Sequence, residues 1–400
     1  MAEAPRPAAA AEPLDLVPRY RNQGYAPADV ERRRRWLEAK AGCRLEHVGS
    51  GSVAGEAMRG NVENPIGVAQ VPLGVAGPLL VHGEHAQGLF YVPLATTEGA
   101  LVRSYERGMV ALTRAGGAEV RVHRDENRVT PVFWFDDVVA ALAFPAWLEE
   151  RLEAIRAAAE ATTRHGRLLR VVCRPLGREV LAEFAYATGD ASGMNMITRA
   201  TEQACAWIVG RGGATGFHIF SGAESEKRAS GAALAGGKGK TVVAGARLAA
   251  PLLRAVLHTD GAGLTAVWRR TVLGHLQSGA LGYNGQLANG LAALFIACGQ
   301  DVANVANAAV GLTVFEALAD GGVYASVTLP SLTVATVGGG TARGTARECL
   351  ELLGCAGRGG APKLAEITAA TLLAGELSMG AAIAAGELVA AHETLGRNRP

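Results

Sequence analysis

Residues 168–196 read LLRVVCRPLGREVLAEFAYATGDASGMNM. Two strand-like runs, Leu168–Cys173 and Glu179–Tyr186, carry the β-branched and aromatic residues that favour a pleated surface. Asp190, Ser192 and Gly193 then stand just ahead of a helix predicted over Met194–Gly210. Such a helix start offers unpaired amides and favours an anion such as a phosphate. Asp190 is open to two readings, a simple helix cap or part of a phosphate-holding loop. Further strand-like runs lie at Glu119–His123, Pro131–Phe135 and Gly216–Ser221, and a second helix is predicted over Pro145–His165. The order β-β-α-β-β-α-β is close to a split βαβ, ferredoxin-like unit, expected as a small domain over 119–220.

The flanks differ in character. Residues 28–41 are helical in type, and the run Arg32–Arg35 is expected on a solvated helix face. Gly49–Gly60 reads as a linker. Residues 62–80 mix Pro65, Pro72 and Pro78 with Gly67, Gly74 and Gly77, which predicts an irregular loop with short extended pieces. Glu98–Arg114 predicts a helix burying Leu101, Val102, Tyr105, Met109, Val110 and Leu112, with Glu98 in its first turn. Residues 231–349 return to helices and Gly-rich turns, with Val323–Leu329 strand-like, and 361–392 predict a pair of Ala-rich helices.

The bulk numbers exclude some classes. With 49% hydrophobic and 19% charged residues, the 400-residue chain can build large cores. A net charge of +2 gives no global reason to expect nucleic-acid or acidic-membrane binding. The six cysteines form no C-x-x-C pair or zinc-finger spacing and are expected as buried thiols in a cytoplasmic protein. Ile367–Ala391 comes nearest to a membrane span but is interrupted by Glu376 and Glu387, which predicts a helix buried against protein.

Standard nucleotide signatures fail. The P-loop pattern ahead of Lys240-Thr241 needs Gly where Leu234 stands, and the last Gly of a Rossmann fingerprint starting at Gly210 falls on Thr215. Glu98, Lys227, Asp301 and His392 each have a plain explanation: a first-turn acid, a solvated lysine, a cap after LAALFIACGQD and a histidine at a helix C-terminus. Nothing in spacing alone brings the four together.

Six colinear blocks do: ENPIGVAQVPLGVAGPL (63–79), VPLATTEGALV (92–102), GDASGMNM (189–196), LGYNGQLANGLAALFIACGQD (281–301), LPSLTVATVGGGT (329–341) and AGELSMGAAIAAGELVAAH (374–392). With them the chain resembles the 3-hydroxy-3-methylglutaryl-CoA reductase family, of the class typical of eukaryotes, archaea and some bacteria, as a catalytic portion without a membrane anchor. The resemblance implies an α+β fold: a large domain (61–118 and 231–400) around a long central helix, an N-terminal helical segment (1–60), and an inserted ferredoxin-like domain (119–220) that binds NADP(H) without a Rossmann motif. A cis-loop at 221–230 would link them. It implies homodimers or higher homo-oligomers with active sites shared between subunits, no metal, no nucleic acid and no membrane.

By the same resemblance Glu98 supplies a proton to the carbonyl oxygen, Lys227 stabilises the oxyanion, Asp301 tunes both, and His392 protonates the departing CoA thiolate. The dinucleotide would meet Asp190, Ala191, Ser192, Gly193, Met194, Asn195, Met196, Gly339, Gly340 and Thr341. Asn398 and Arg399 of the basic tail would reach its 2′-phosphate. Ser104, Arg107, Ser221, Arg228, Arg270 and Asn289 would bind substrate. The implied reaction consumes two NADPH and releases CoA and an alcohol. This chain departs from the family pattern at Arg228, Arg270 and Gln286, and at Val129, which stands where an arginine is expected while Arg128 is one residue earlier. The departures cluster where the substrate's terminal carboxylate is gripped. They leave open the same chemistry on another acyl-CoA, and a weakly catalytic binding paralogue.

Overall fold

The computed structural model describes residues 15–20 and 24–395. The chain divides into two compact units, one ending at Gln70 and the other beginning at Val71. In the first, the helix Pro27–Ala41 starts with proline and stops at Gly42, whose left-handed backbone (φ 65°) suits a residue without Cβ. The basic run is not wholly solvated. Arg33 is fully buried, and its guanidinium donates to the carbonyls of Pro65 (2.6 Å), Pro18 (3.1 Å) and Gly24 (3.4 Å). A five-donor fork can satisfy several carbonyls at once, so this one arginine organises the loops around it. The expected linker, Gly49–Gly60, follows a short helix, Glu46–Gly49, and holds a 3₁₀ turn, Gly55–Met58.

The second unit is mixed helix and sheet. Its strands are β1 Leu73–His82, β2 Gln87–Ala95, β3 Ala118–Val129, β4 Val132–Trp134, β5 Arg167–Leu176, β6 Glu179–Ala187, β7 Gly216–His218, β8 Gly239–Leu248, β9 Leu312–Ala317 and β10 Val323–Leu332. The irregular proline-rich stretch therefore ends earlier than expected. β1 continues past Gly77 and Pro78, with the pairing to β2 slipping between Ala76 and Leu79. β3 runs six residues beyond its expected end because it serves two sheets. Its first half pairs with β1 (Val81 opposite Ala118) and with β8 (Glu119 opposite Gly245). Its last residues pair with β6, Asn127 opposite Tyr186 and Val129 opposite Phe184.

Beyond that hand-over the strands lie in the order β7-β4-β6-β5, all antiparallel. Helices fill the β4–β5 and β6–β7 connections. The first begins at Val138, where the Asp137 carboxylate accepts from the Ala140 amide (2.8 Å), and breaks at Arg151 into a second piece, Leu152–Glu160. Pro145 thus lies within a helix rather than opening one. Met194–Val209 forms the second connection, as expected. These elements bury their own core around Phe133, Phe144, Phe184, Tyr186 and Ile197.

A larger core surrounds the helix Gly360–Ala384. This helix is long and apolar enough to cross a bilayer, but most of its residues are buried by protein. The neighbouring helix Leu101–Arg114 approaches it closely: a Cβ at Gly108 would stand 1.9 Å from the Ala374 carbonyl oxygen. The two acids of Gly360–Ala384 are buried, and each closes a loop. Glu366 accepts from the amides of Glu84 (3.0 Å), His85 (2.8 Å) and Ala86 (2.6 Å). Glu376 accepts from the amides of Gly285 (2.8 Å) and Gln286 (2.6 Å) and from the Thr313 hydroxyl (2.7 Å).

Where β3 crosses between sheets, Glu126 is buried among three arginines, with Arg128 at 2.6 Å, Arg170 at 2.5 Å and Arg124 at 3.5 Å. Burial alone would raise its pKa, but the guanidiniums of Arg170 and Arg128 outweigh that and hold it at about 2. A carboxyl held below its unfolded value contributes stability above that value and loses it as pH falls toward the folded one. Wild-type stability in urea is therefore expected to fall more steeply between about pH 4.5 and about pH 3 than that of Glu126→Gln. At neutral pH the variant is expected to be less stable by about 3 kcal/mol.

Candidate active site

The loop after β7 carries Lys227 with a left-handed backbone, φ 56°. Residues with a Cβ adopt this only when their surroundings hold them there. Here the Lys227 amide donates to the Asn307 side-chain oxygen at 2.9 Å. The turn aims Nζ at Asp301, 2.8 Å from Oδ2. The other oxygen of Asp301 caps the 3₁₀ turn Val302–Asn304, accepting from the Ala303 amide at 3.1 Å. The expected cap and the expected charge partner are thus the same residue. The hydrogen bond from Asp301 holds the Lys227 pKa above the ordinary lysine value despite some burial, and the charges of Asp301 and Glu226 add to it. Both side chains are about half exposed, so the pair adds little to stability and its value is positional.

Glu98 follows β2, and its amide donates to the Thr96 hydroxyl at 3.0 Å. It does not sit in a first helical turn. Ala100 is left-handed (φ 68°), and the helix starts at Leu101. Glu98 is instead held from outside, by the Asn289 side-chain amide at 3.3 Å. Both face a cavity of about 690 Å³ that Ser104, Arg107, Gln286 and Ser378 also line. Arg107 donates to the Ser378 hydroxyl (3.0 Å) and carbonyl (2.6 Å), and Ser104 to the Ser378 hydroxyl (3.2 Å). Leu388, at the same cavity, opens the helix Leu388–Leu395, whose backbone carries His392. The His392 side chain, Asn398 and Arg399 lie outside the described residues.

A separate cavity of about 380 Å³ is lined by Lys227, Arg228, Arg128, Val129, Met194 and Glu226, among others. Val129 packs into the small core, while Arg128 bonds Glu126 (2.6 Å) and Glu183 (3.0 Å) at the cavity wall. Arg228 lies over the Phe220 ring at 5.1 Å and donates to the Glu224 carbonyl at 3.1 Å. Ser221 donates to the Glu224 carboxylate (amide 3.1 Å, hydroxyl 3.4 Å). Arg270 is exposed on the helix Gly261–Ser278 and lines none of these cavities. Glu98 and Lys227 therefore open onto different cavities of one chain.

The two glycine-rich segments do meet. The amides of Thr336 (2.9 Å) and Val337 (3.3 Å) donate to the Asp190 carbonyl, which brings the turn before Gly338 onto the loop 188–193. The Asp190 carboxylate accepts from the amides of Gly359 (2.7 Å) and Ala361 (3.1 Å). It caps the central helix and not the helix that follows it in sequence. The latter, Met194–Val209, starts at left-handed Gly193 (φ 64°), which has no side chain to cap it. Ala191 is fixed by the Thr188 hydroxyl (2.8 Å), and Asn195 is exposed. Gly339, Gly340 and Thr341 form a 3₁₀ turn pressed onto Gly299, where a Cβ on Gly340 would stand 2.8 Å from the Gly299 carbonyl. That contact sets the turn beside Gln300 and Asp301.

Residues 29–397 match the family described as hydroxymethylglutaryl-coenzyme A reductase. The chain belongs to that family. It is 44% identical over 378 residues to the 3-hydroxy-3-methylglutaryl-coenzyme A reductase of Methanocaldococcus jannaschii, covering 92% of this chain and 93% of that one. The enzyme of the same name from Methanothermobacter thermautotrophicus is 43% identical, covering 94% and 96%. Among solved structures, the class II 3-hydroxy-3-methylglutaryl-CoA reductase of Streptococcus pneumoniae bound to NADPH aligns with a TM-score of 0.68 at 19% identity, over 88% of this chain and 96% of that one, a likeness of fold.

Sequence reasoning missed the supporting residues Asn307, Ser378 and Glu376. Only Glu376 left a cue, an acid within an otherwise apolar helix. The capping geometry makes a separate claim that exchange can test. Asp190→Ala is expected to speed hydrogen exchange at Gly359 and Ala361 and to cost about 1 kcal/mol. Unchanged exchange at those amides would contradict the cap.

Proposed function

We propose that this chain reduces 3-hydroxy-3-methylglutaryl-CoA to mevalonate and free CoA, consuming two NADPH. Family membership supports the reading, and the single observation that carries it is the 2.8 Å contact between Lys227 and Asp301 on a strained loop. Reduction of a thioester builds negative charge on the carbonyl oxygen. A fixed cation at that oxygen lowers the barrier by several kcal/mol. Asp301 keeps Lys227 charged and directed. Glu98, oriented by Asn289, is the proton source for that oxygen. His392 protonates the thiolate when the hemithioacetal breaks down to the aldehyde, a step for which an imidazole is suited near neutral pH. A second reduction converts the aldehyde to the alcohol.

Bound NADPH supplies the hydride at each reduction. The residues present fit such a group. The amides at the start of the Met194–Val209 helix suit its phosphates, and the 336–337 segment that leads into the 339–341 turn is bonded to Asp190 of the same loop. The strand order β7-β4-β6-β5, with a helix in each crossover, supports a ferredoxin-like insert as the dinucleotide domain. Asn398 and Arg399 are assigned to the 2′-phosphate. Ser104, Arg107, Ser221, Arg228 and Arg270 are assigned to the acyl-CoA. The separation of Glu98 from Lys227 into two cavities supports an active site completed by a second copy, in a homodimer or larger homo-oligomer. Burial of the helix Gly360–Ala384 supports a soluble, cytoplasmic enzyme.

Arg228, occupied by Phe220 and the Glu224 carbonyl, favours a second reading in which the acyl group differs. The test is purified protein with NADPH and a panel of acyl-CoAs, following cofactor oxidation and products. Mevalonate from the glutaryl thioester is the expected product. Turnover confined to other thioesters selects the second reading, and no turnover with tight NADPH binding leaves a binding paralogue. Lys227→Ala is expected to lower kcat by roughly 100- to 1,000-fold with the fold intact. Full activity in that variant sinks the role of Lys227.

A further inference from the structure

Lys238 has no part in the chemistry above, yet it is among the largest fully buried side chains. It lies in the glycine-rich turn that enters β8. The turn's path is tightly fixed. The amides of Gly237 (2.9 Å) and Lys238 (3.3 Å) donate to the Ser331 hydroxyl, which donates to the Ala233 carbonyl at 2.7 Å. Gly239 is left-handed (φ 78°), and a Cβ there would stand 2.4 Å from the Leu332 carbonyl oxygen. The side chain so delivered ends at two places that matter. Its ammonium is 2.6 Å from Glu226 Oε2 and 2.7 Å from Met194 Sδ. Glu226 immediately precedes Lys227, and Met194 is the first residue of the helix assigned to the cofactor's phosphates.

We propose that Lys238 is a positioning residue for the reduction. Its ammonium ties Glu226, and through it the left-handed turn at Lys227, to the start of the Met194 helix. The inference rests on the reductase reading above. A buried ion pair adds little net stability over apolar side chains of the same size, but it fixes direction. Direction is what Lys227 needs. Its backbone conformation is held on one side by Asn307 and on the other by the residue that Lys238 grips. The charged groups facing Lys238 are Glu226 and Glu224, which favour its ammonium, and Lys227, which opposes it. Burial outweighs the acids and brings its pKa down to about 8. The tie is thus complete below that pH and is lost as pH rises through it. Lys227, held above the ordinary lysine range, stays charged across the same interval.

The test is the pH profile of kcat for the full chain with NADPH and the glutaryl thioester, from about pH 6.5 to about 9.5. The wild type is expected to lose activity with a midpoint near 8. Lys238→Arg keeps a charge that does not titrate there, so the alkaline limb should move up by a pH unit or more, with KM for the acyl-CoA within about twofold. Glu226→Gln removes the anion that favours the ammonium, so the limb should move down. A residue that merely fills space would leave the limb where it was. A wild-type profile flat from about pH 7 to about 9 overturns the proposal. So does a limb unmoved in Glu226→Gln, which decides the matter alone if Lys238→Arg does not fold. An active enzyme without these shifts removes only the role of Lys238, whereas no turnover at any pH removes the reductase reading and this inference with it.

Discussion

The architecture depends on burying an apolar helix that carries two acids. Gly360–Ala384 can be surrounded by protein only if Glu366 and Glu376 find donors, because an uncompensated buried carboxylate costs more than one domain can spare. The donors are backbone amides of loops far away in sequence, 84–86 and 285–286, together with Thr313. The same contacts that satisfy the acids pin those loops. Since Gln286 directly precedes the helix bearing Asn289, and Asn289 orients Glu98, the placement of one proposed catalytic acid descends from a core requirement.

A third carboxylate extends this logic to the cofactor loop. Asp190 caps the N-terminus of the same central helix, and its own carbonyl receives the 336–337 amides. Thus the loop assigned to the dinucleotide, the second glycine-rich turn and the core helix are joined at a single residue. The helix that follows in sequence gets no cap from its own first residue, Gly193, which suits the phosphate-holding role proposed for it. β3 performs the corresponding task for the sheets. It belongs to the large core at one end and the small core at the other, and the ionic cluster around Glu126 sits at the crossing.

The sequence by itself determined the mixed α+β class, the position of Met194–Val209, a protein-buried apolar helix within 361–392, most of the strands between 118 and 218, and through its colinear blocks the family. These follow from local periodicity, composition and motif, which neighbouring residues carry. Tertiary structure decided what no local pattern encodes. It started the helix after Glu98 at Leu101, buried Arg33 among carbonyls, set Arg128 against Glu126 and Glu183, and sent the Asp190 carboxylate to a distant helix. It also joined Lys227 to Asp301 and set Lys238 between Glu226 and Met194. Each of these contacts is between groups far apart in the chain or is fixed by which face a strand presents. Their energies exist only once the cores have closed and water has been excluded, so the sequence names the participants and packing chooses the partners.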